Sequence, residues 1–384
     1  MTPIPWQPRL ESLDAFATRH KVFKVVDQYQ AMLEELFLIE HPSYRLQAID
    51  ETARQRFFDQ HRAGRPLTEC GAWFYFPWSG VLAHYLPTEQ HEALRTARNR
   101  LLIFDKEQQA FRDCRVGIAG LSVGSHAALT LVMTGGARHL RIADPDRISG
   151  SNLNRIRLDF SHVGATKCEA IAGLILQTDP YAALEVHPAG LHAGNLEAFL
   201  SGLDVFVECM DDLELKIRAR LIARRLGIPV LMATDNGDGV ILDVERYDLD
   251  PELELFNGAA GPLTLEEFQR TSPARRPKLA TRIAGINDVH VRMLESVALI
   301  GTRLYTWPQL GTAATMTGVV IAYAIRRLAN QQPLNSGRLQ IDPEALLDPN
   351  FDDPAARAER LRRRIAALRA IGFDDAELAA GGLV

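Results

Sequence analysis

Three stretches of the chain carry residue types suited to work on phosphate. Gly120-Leu121-Ser122-Val123-Gly124 follows the apolar run Arg115–Ala119, Asp144-Pro145-Asp146 closes a second apolar run, and Ser151-Asn152-Leu153-Asn154-Arg155 precedes Lys167. A carboxylate at a strand end accepts hydrogen bonds from ribose hydroxyls, while a guanidinium fork and a mobile ammonium neutralise phosphate oxygens. An acid, an amide, a guanidinium and an ammonium in this order have the polarity to hold a nucleoside triphosphate by its sugar and its phosphates.

The glycine turn is a contracted relative of G-x-G-x-x-G. Gly120 lets the chain turn tightly after a strand, and Gly124 lets backbone approach a ligand at a helix N-terminus, where free N–H groups favour anions. Ser122 stands where a dinucleotide fingerprint has its central glycine, which argues against a standard NAD site. Asp144 lies 20 residues after Gly124 and alone suits NAD or ATP equally. Asn152, Arg155 and Lys167 tilt the reading toward a triphosphate.

The elements that must position these residues follow from periodicity. Arg115–Ala119 reads as a buried strand, 125–134 as a helix, 139–144 as a second strand and 167–176 as a helix. Residues 184–188, Asp204–Cys209 and 228–233 supply three more strands. This alternation predicts an α/β fold with a Rossmann-like, mostly parallel sheet, ligand at the carboxyl ends of its strands. After Ala233 the register changes. Residues 239–248 read as an antiparallel edge strand, 252–279 as a polar loop with the basic patch Arg275-Arg276-Pro277-Lys278, and 311–329 as a small-residue helix.

Residues 1–95 read as a separate small α+β unit, with a helix over 22–38 and an aromatic hairpin over 71–87. That hairpin suits either a plain core or a platform for an added peptide strand. The expected division is 1–95, 96–340 for the nucleotide domain, and 341–384 for a helical tail whose arginine-rich stretch 354–370 reads as a solvated amphipathic helix.

Composition bounds the function. The 384 residues are 47% hydrophobic and 24% charged, with a net charge of -5, which fits a soluble globular protein without a broad basic field. Nucleic acid is therefore disfavoured as a partner. No secretory leader or apolar run of membrane-spanning length is evident, so a cytoplasmic, non-membrane protein is expected. The four cysteines, Cys70, Cys114, Cys168 and Cys209, form no C-x-x-C pair.

Together the glycine turn, Asp144/Asp146, Ser151–Arg155, Lys167 and Cys209-Met210-Asp211-Asp212 resemble the ThiF/MoeB superfamily, the fold of ubiquitin-activating-type adenylating enzymes, over roughly residues 96–335. The resemblance implies an ATP-dependent adenylyltransferase. ATP would be held by Gly120, Ser122, Gly124, Asp146 and Asn152, with Asp144 on the ribose, Arg155 and Lys167 on the phosphates and Asp211 on Mg²⁺. It also implies a homodimer in which Arg98 or Arg100 reaches the neighbouring site. The thioester cysteine that many relatives keep has no counterpart after Cys209, so acyl transfer without a thioester is expected. A peptide or small ubiquitin-like protein C-terminus is the favoured substrate. A nucleotide-binding scaffold without catalysis and an NAD(P)-dependent oxidoreductase remain the alternatives.

Overall fold

The computed structural model describes all 384 residues and contains two sheets. The first has four strands: β1 (Ile4–Trp6), β2 (Lys24–Val26), β3 (Ala72–Phe76) and β4 (Val81–Tyr85), in the order β1-β3-β4-β2. The hairpin expected over 71–87 is β3 and β4, closed by the Gly80 N–H on the Phe76 carbonyl at 2.9 Å. The helix expected from residue 22 instead begins at Tyr29 and runs to Glu40. Lys24-Val25-Val26 pairs in parallel with β4, where β-branched side chains fit a pleated surface, and the Asp27 carboxylate accepts the Tyr29 N–H at 3.2 Å as the chain turns into the helix.

The hairpin's aromatic residues serve packing. Trp73, Tyr75 and Phe76 are buried, and Trp73 stacks on His84 with ring centroids 4.1 Å apart. Trp78 donates from Nε1 to the Gln177 side chain at 3.1 Å, Tyr85 donates to the Gln177 carbonyl at 2.7 Å, and Tyr181 donates to the Leu86 carbonyl at 2.7 Å. The N-terminal sheet therefore buttresses the helix Lys167–Thr178, the element that carries Lys167.

The second sheet comprises β5 (Arg115–Ala119), β6 (His139–Ala143), β7 (Ala183–His187), β8 (Val205–Glu208), β9 (Val230–Asn236), β10 (Gly239–Glu245) and β11 (Gly337–Ile341), in the order β11-β10-β9-β8-β5-β6-β7. From β9 through β7 the pairing is parallel; β10 and β11 are antiparallel. The chain moves outward from β5 through β6 to β7, then returns to the other side of β5 with β8. That reversal is the topological switch point, where open α/β sheets bind ligands. β10 is not the edge strand its sequence suggests, because β11 pairs outside it and all seven of its residues are buried.

One face is covered by the helices Gly124–Met133, Lys167–Thr178 and Gly311–Ala329, and the other by Leu196–Leu200 and Leu213–Leu226. The stretch 252–279 is also more ordered than its polarity implies. It folds as short helices, including Leu265–Arg270 and the start of Arg276–Ala284, because Leu255, Phe256 and Phe268 anchor it to the second core. Its basic patch is engaged within the chain. Arg276 lies over the Phe268 ring, and Lys278 pairs with Glu377 at 2.5 Å. The arginine-rich helix Pro354–Ile371 buries Ala367 and Leu368 against Val289, Met293 and Leu294. No helix is long and apolar enough to cross a membrane.

Candidate functional site

The glycine turn sits at the switch point, between β5 and the exit of β8. Gly120 has φ +88°, and a Cβ there would collide with the Cys209 carbonyl, so glycine is required on both grounds. Its N–H bonds the Ala143 carbonyl at 2.8 Å, and the next N–H, from Leu121, bonds Asp144 Oδ2 at 2.6 Å. The turn is thus tied to the end of β6. Gly124 then opens the helix, packed against Ile118.

Asp144 is buried and points inward. Its second oxygen accepts the Asp146 N–H at 2.8 Å, and Lys167 Nζ lies 3.3 Å from the first. The same ammonium donates to Asp146 Oδ2 at 2.7 Å. Asp146 differs from Asp144 in being 65% exposed at its side chain, against 4%. Of the two acids, Asp146 is the one placed to meet a ligand.

The Ser151–Arg155 segment folds as a tight 3-10 turn. Asn152 is buried, and its side-chain oxygen accepts the Ser149 N–H at 3.0 Å. Arg155 follows, with Nε donating to Ser122 Oγ at 3.0 Å and Nη1 to Asn154 Oδ1 at 2.9 Å. Burial pulls its pKa down while Asp235 and Asp211 hold it up. Behind it, His126 Nε2 bonds the Arg155 carbonyl. A carbonyl only accepts, so Nε2 carries the hydrogen; burial holds His126 below its usual pKa and keeps it neutral.

Past β8, two adjacent acids divide their duties. Asp212 caps the helix Leu213–Leu226 through the Leu215 N–H at 2.9 Å, whereas Asp211 is exposed and lines a cavity of about 700 Å³. That cavity also takes in Val123 of the glycine turn, Cys209, Lys216, Asp235 and Trp307. It does not take in Asp144 or Lys167, which stand on the β6 side of the turn, nor Arg155, whose charge nonetheless acts on its wall residues Asp235 and Asp211. No cluster of three or more His, Cys, Asp or Glu is arranged to hold a metal ion by itself. An exposed carboxylate such as Asp211 fits Mg²⁺ in the manner usual for nucleotide sites, where one or two protein oxygens share the ion with phosphates and water.

Direct contacts join Asp144, Asp146 and Lys167 in one group and Ser122 and Arg155 in another, with Gly120, Gly124, Asn152 and Asp211 on adjoining segments. Arg98 and Arg100 are exposed on the segment before β5, and Arg100 lines a separate cavity of about 240 Å³ with Glu89 and Asp105. Within one chain they do not join the turn. Burial pushes the Cys168 and Cys209 thiols up to about 12, so neither is a thiolate at neutral pH. Asp235 and His126 were missed in the sequence. Asp235 sits in a Thr-Asp-Asn-Gly-Asp-Gly run that reads as an ordinary turn, and His126 is a lone histidine in an apolar helix.

The family model for the ThiF family matches residues 96–351. An uncharacterised protein of Mycobacterium tuberculosis is 35% identical over 288 residues, which is 75% of this chain and 40% of that one. The molybdopterin-synthase adenylyltransferase of Escherichia coli is 31% identical over 128 residues, covering 33% of this chain and 51% of the relative. This chain therefore spans about half or less of the length of either relative. Among solved structures, Escherichia coli MccB with ATP is similar over 81% of this chain and 84% of its own, at 15% identity and a TM-score of 0.46. With two thirds of its length under the family model and the motif residues gathered at the switch point, the chain belongs to the ThiF family.

Proposed function

We propose that this chain is an ATP-dependent adenylyltransferase that activates the C-terminal carboxylate of a peptide or small ubiquitin-like protein as an acyl-adenylate. The observation that carries the reading is the pair of cations flanking the glycine turn, Lys167 beside the exposed Asp146 and Arg155 on Ser122, with the exposed Asp211 across the switch point. Asp146 accepts the ribose hydroxyls, with Asp144 holding the turn beneath it. Asn152 steadies the segment that presents Arg155, and Gly120, Ser122 and Gly124 shape the phosphate approach. Asp211 is the residue to hold Mg²⁺, which neutralises phosphate charge when bound.

A carboxylate oxygen attacks the α-phosphorus, the bond to the β-phosphate oxygen breaks, and pyrophosphate leaves with that electron pair. The carboxylate is already ionised near neutral pH, so no general base is required. The site needs to place reactants and neutralise the charge that builds on phosphate oxygens. The raised cysteine thiols support direct transfer of the acyl group without a thioester. The exposed Leu101, Leu102 and Phe104 beside Arg98 and Arg100 support a homodimer that brings one of those arginines to the partner's site.

The test is ATP–pyrophosphate exchange with Mg²⁺ against a panel of peptides and small modifier proteins. Exchange with one substrate, lost in Asp211→Ala and Arg155→Ala, is the expected result. Absence of exchange across a broad panel, with ATP still bound, would favour a scaffold.

A further inference from the structure

Two cavities meet at one buried carboxyl group. The 700 Å³ cavity beside the glycine turn and a larger groove of about 1250 Å³ share two lining residues, Asp235 and Gln309. The groove is bounded by the β9–β10 turn, the first half of the helix Gly311–Ala329 and the stretch 342–348. Its floor is apolar, from Met293, Leu310, Met316 and Val319. Its walls carry Asp235, Asp238, Asp342, Glu344 and Asp348 against a single guanidinium, Arg292. His290 also lines the groove, with its Nε2 facing Glu344 at 3.0 Å.

At the inner end, Asp235 is under-committed for a carboxyl group only 5% exposed. Both of its side-chain hydrogen bonds are long, 3.3 Å from Thr317 Oγ1 and 3.4 Å from Gln309 Nε2. Arg155, the cation that acts on it, is already engaged by Ser122 and Asn154. A buried carboxylate with weak partners gains most from a ligand that brings its own positive charge. Apolar floor, anionic walls and a buried acid together describe a slot for an ammonium on a short alkyl stem.

We propose that this groove binds a second substrate, a primary alkylamine whose ammonium is drawn to Asp235, and that this amine is the acceptor of the activated acyl group. The acceptor role rests on the adenylation reading above. The carboxyl substrate and nucleotide occupy the turn side, and the amine enters from the groove side. Asp235 takes one proton from the ammonium. The freed lone pair forms a bond to the acyl carbon, the bond from that carbon to the phosphate oxygen breaks, and AMP leaves with its electrons. The nitrogen then sheds a second proton to water, leaving an amide. Burial pushes the Asp235 pKa up to about 6, which suits a group that is anionic at neutral pH yet able to hold a proton.

Calorimetric titration of the whole chain with cadaverine, and with 1,5-pentanediol as its uncharged counterpart, tests the site without the unidentified carboxylate. Cadaverine is expected to bind saturably with a Kd on the order of 1 mM, and pentanediol not to bind. Asp235→Asn is expected to weaken cadaverine at least about tenfold. Val319→Arg, a change on the exposed floor that leaves the core untouched, is expected to abolish binding while the melting curve stays that of the parent. No saturable binding of cadaverine, equal binding of pentanediol, or unchanged affinity in both variants overturns the site. ATP binding, measured in the same samples, separates the two readings. Amine binding without ATP binding would sink the adenylation reading and with it the acceptor role, whereas ATP binding without amine binding would sink this groove alone.

Discussion

Two clusters of carboxylates and cations stand at the carboxyl ends of β8 and β6, the strands on either side of β5, and they differ in whether water reaches them. After β8, Arg220 lies between Glu208 at 2.8 Å and Glu245 at 2.7 Å, all three side chains fully buried. Lys216 bonds both Glu208 oxygens at 2.9 Å, Tyr247 and the Phe256 N–H complete Glu245, and the Arg220 guanidinium lies 4.0 Å from the centre of the Phe256 ring. Burial opposes ionisation of Glu208, but Lys216 and Arg220 outweigh it and hold its pKa below the usual value. After β6, Lys167 bridges a buried acid to one that is mostly exposed. In the first cluster both acids and the guanidinium are satisfied and sealed, and only Lys216 reaches a cavity wall; the second keeps one acid open to solvent. In a fold with both, openness marks the cluster that can exchange its internal partners for a ligand, and closure marks the one that locks the fold.

The strongest way to break this contrast is Arg220→Ala. Removing one member of a buried ionic network leaves uncompensated charge, and a loss of about 3 to 5 kcal/mol is expected in urea denaturation. A loss below about 1 kcal/mol would mean the network is not the lock it is taken to be.

Asp235 belongs to neither cluster, since it is buried like the first and weakly partnered. Its pKa rises from 3.8 to about 6, so the folded chain holds this proton more tightly than the unfolded chain does. Stability from this group is therefore lost as pH rises from about 4 through 6. Asp235→Asn removes that loss, so the variant should match the parent near pH 4 and exceed it by about 3 kcal/mol near pH 7.5. Denaturation midpoints at the two pH values decide it; a constant difference would show that folding leaves the Asp235 pKa unshifted.

Arg155→Ala sharpens the open side. Loss of a preorganised cation at developing phosphate charge is expected to lower pyrophosphate exchange about a hundredfold. The half-exposed side chain supports little packing, so the denaturation midpoint should hardly move. A large fall in stability together with the lost exchange would assign Arg155 to the fold instead.

The open cluster was legible in the sequence and the sealed one was not. Asp144, Asp146, Arg155 and Lys167 lie within 24 residues, between strands whose apolar runs are plain, so order and spacing carried them. Which acid faces outward was not legible, because Asp144 turns inward only through the Leu121 and Asp146 N–H groups. Arg220 and Glu245 lie 25 residues apart on a helix and a strand that look like ordinary polar-studded elements, and only the antiparallel return of β10 brings them together. β10 was misread as an edge for a related reason: its outer partner, β11, comes some ninety residues later, beyond any local pattern.

The smallest effect gives the finest comparison, because it sets two neighbouring acids against each other. Asp212 caps the helix that carries both Lys216 and Arg220, and an N-cap acid replaced by alanine costs about 1 kcal/mol. Asp212→Ala should therefore lower the urea midpoint modestly and leave ATP binding in Mg²⁺ close to that of the parent. Asp211→Ala should do the reverse, since its exposed side chain caps nothing and its loss removes a carboxylate from the cavity wall. Measuring both variants for stability and for Mg²⁺-dependent ATP binding yields a crossed pattern if sealed and open groups are separable at a distance of one residue. Parallel losses in the two variants would mean that the turn after β8 moves as one piece, and that exposure alone does not distinguish a ligand-facing acid from a structural one.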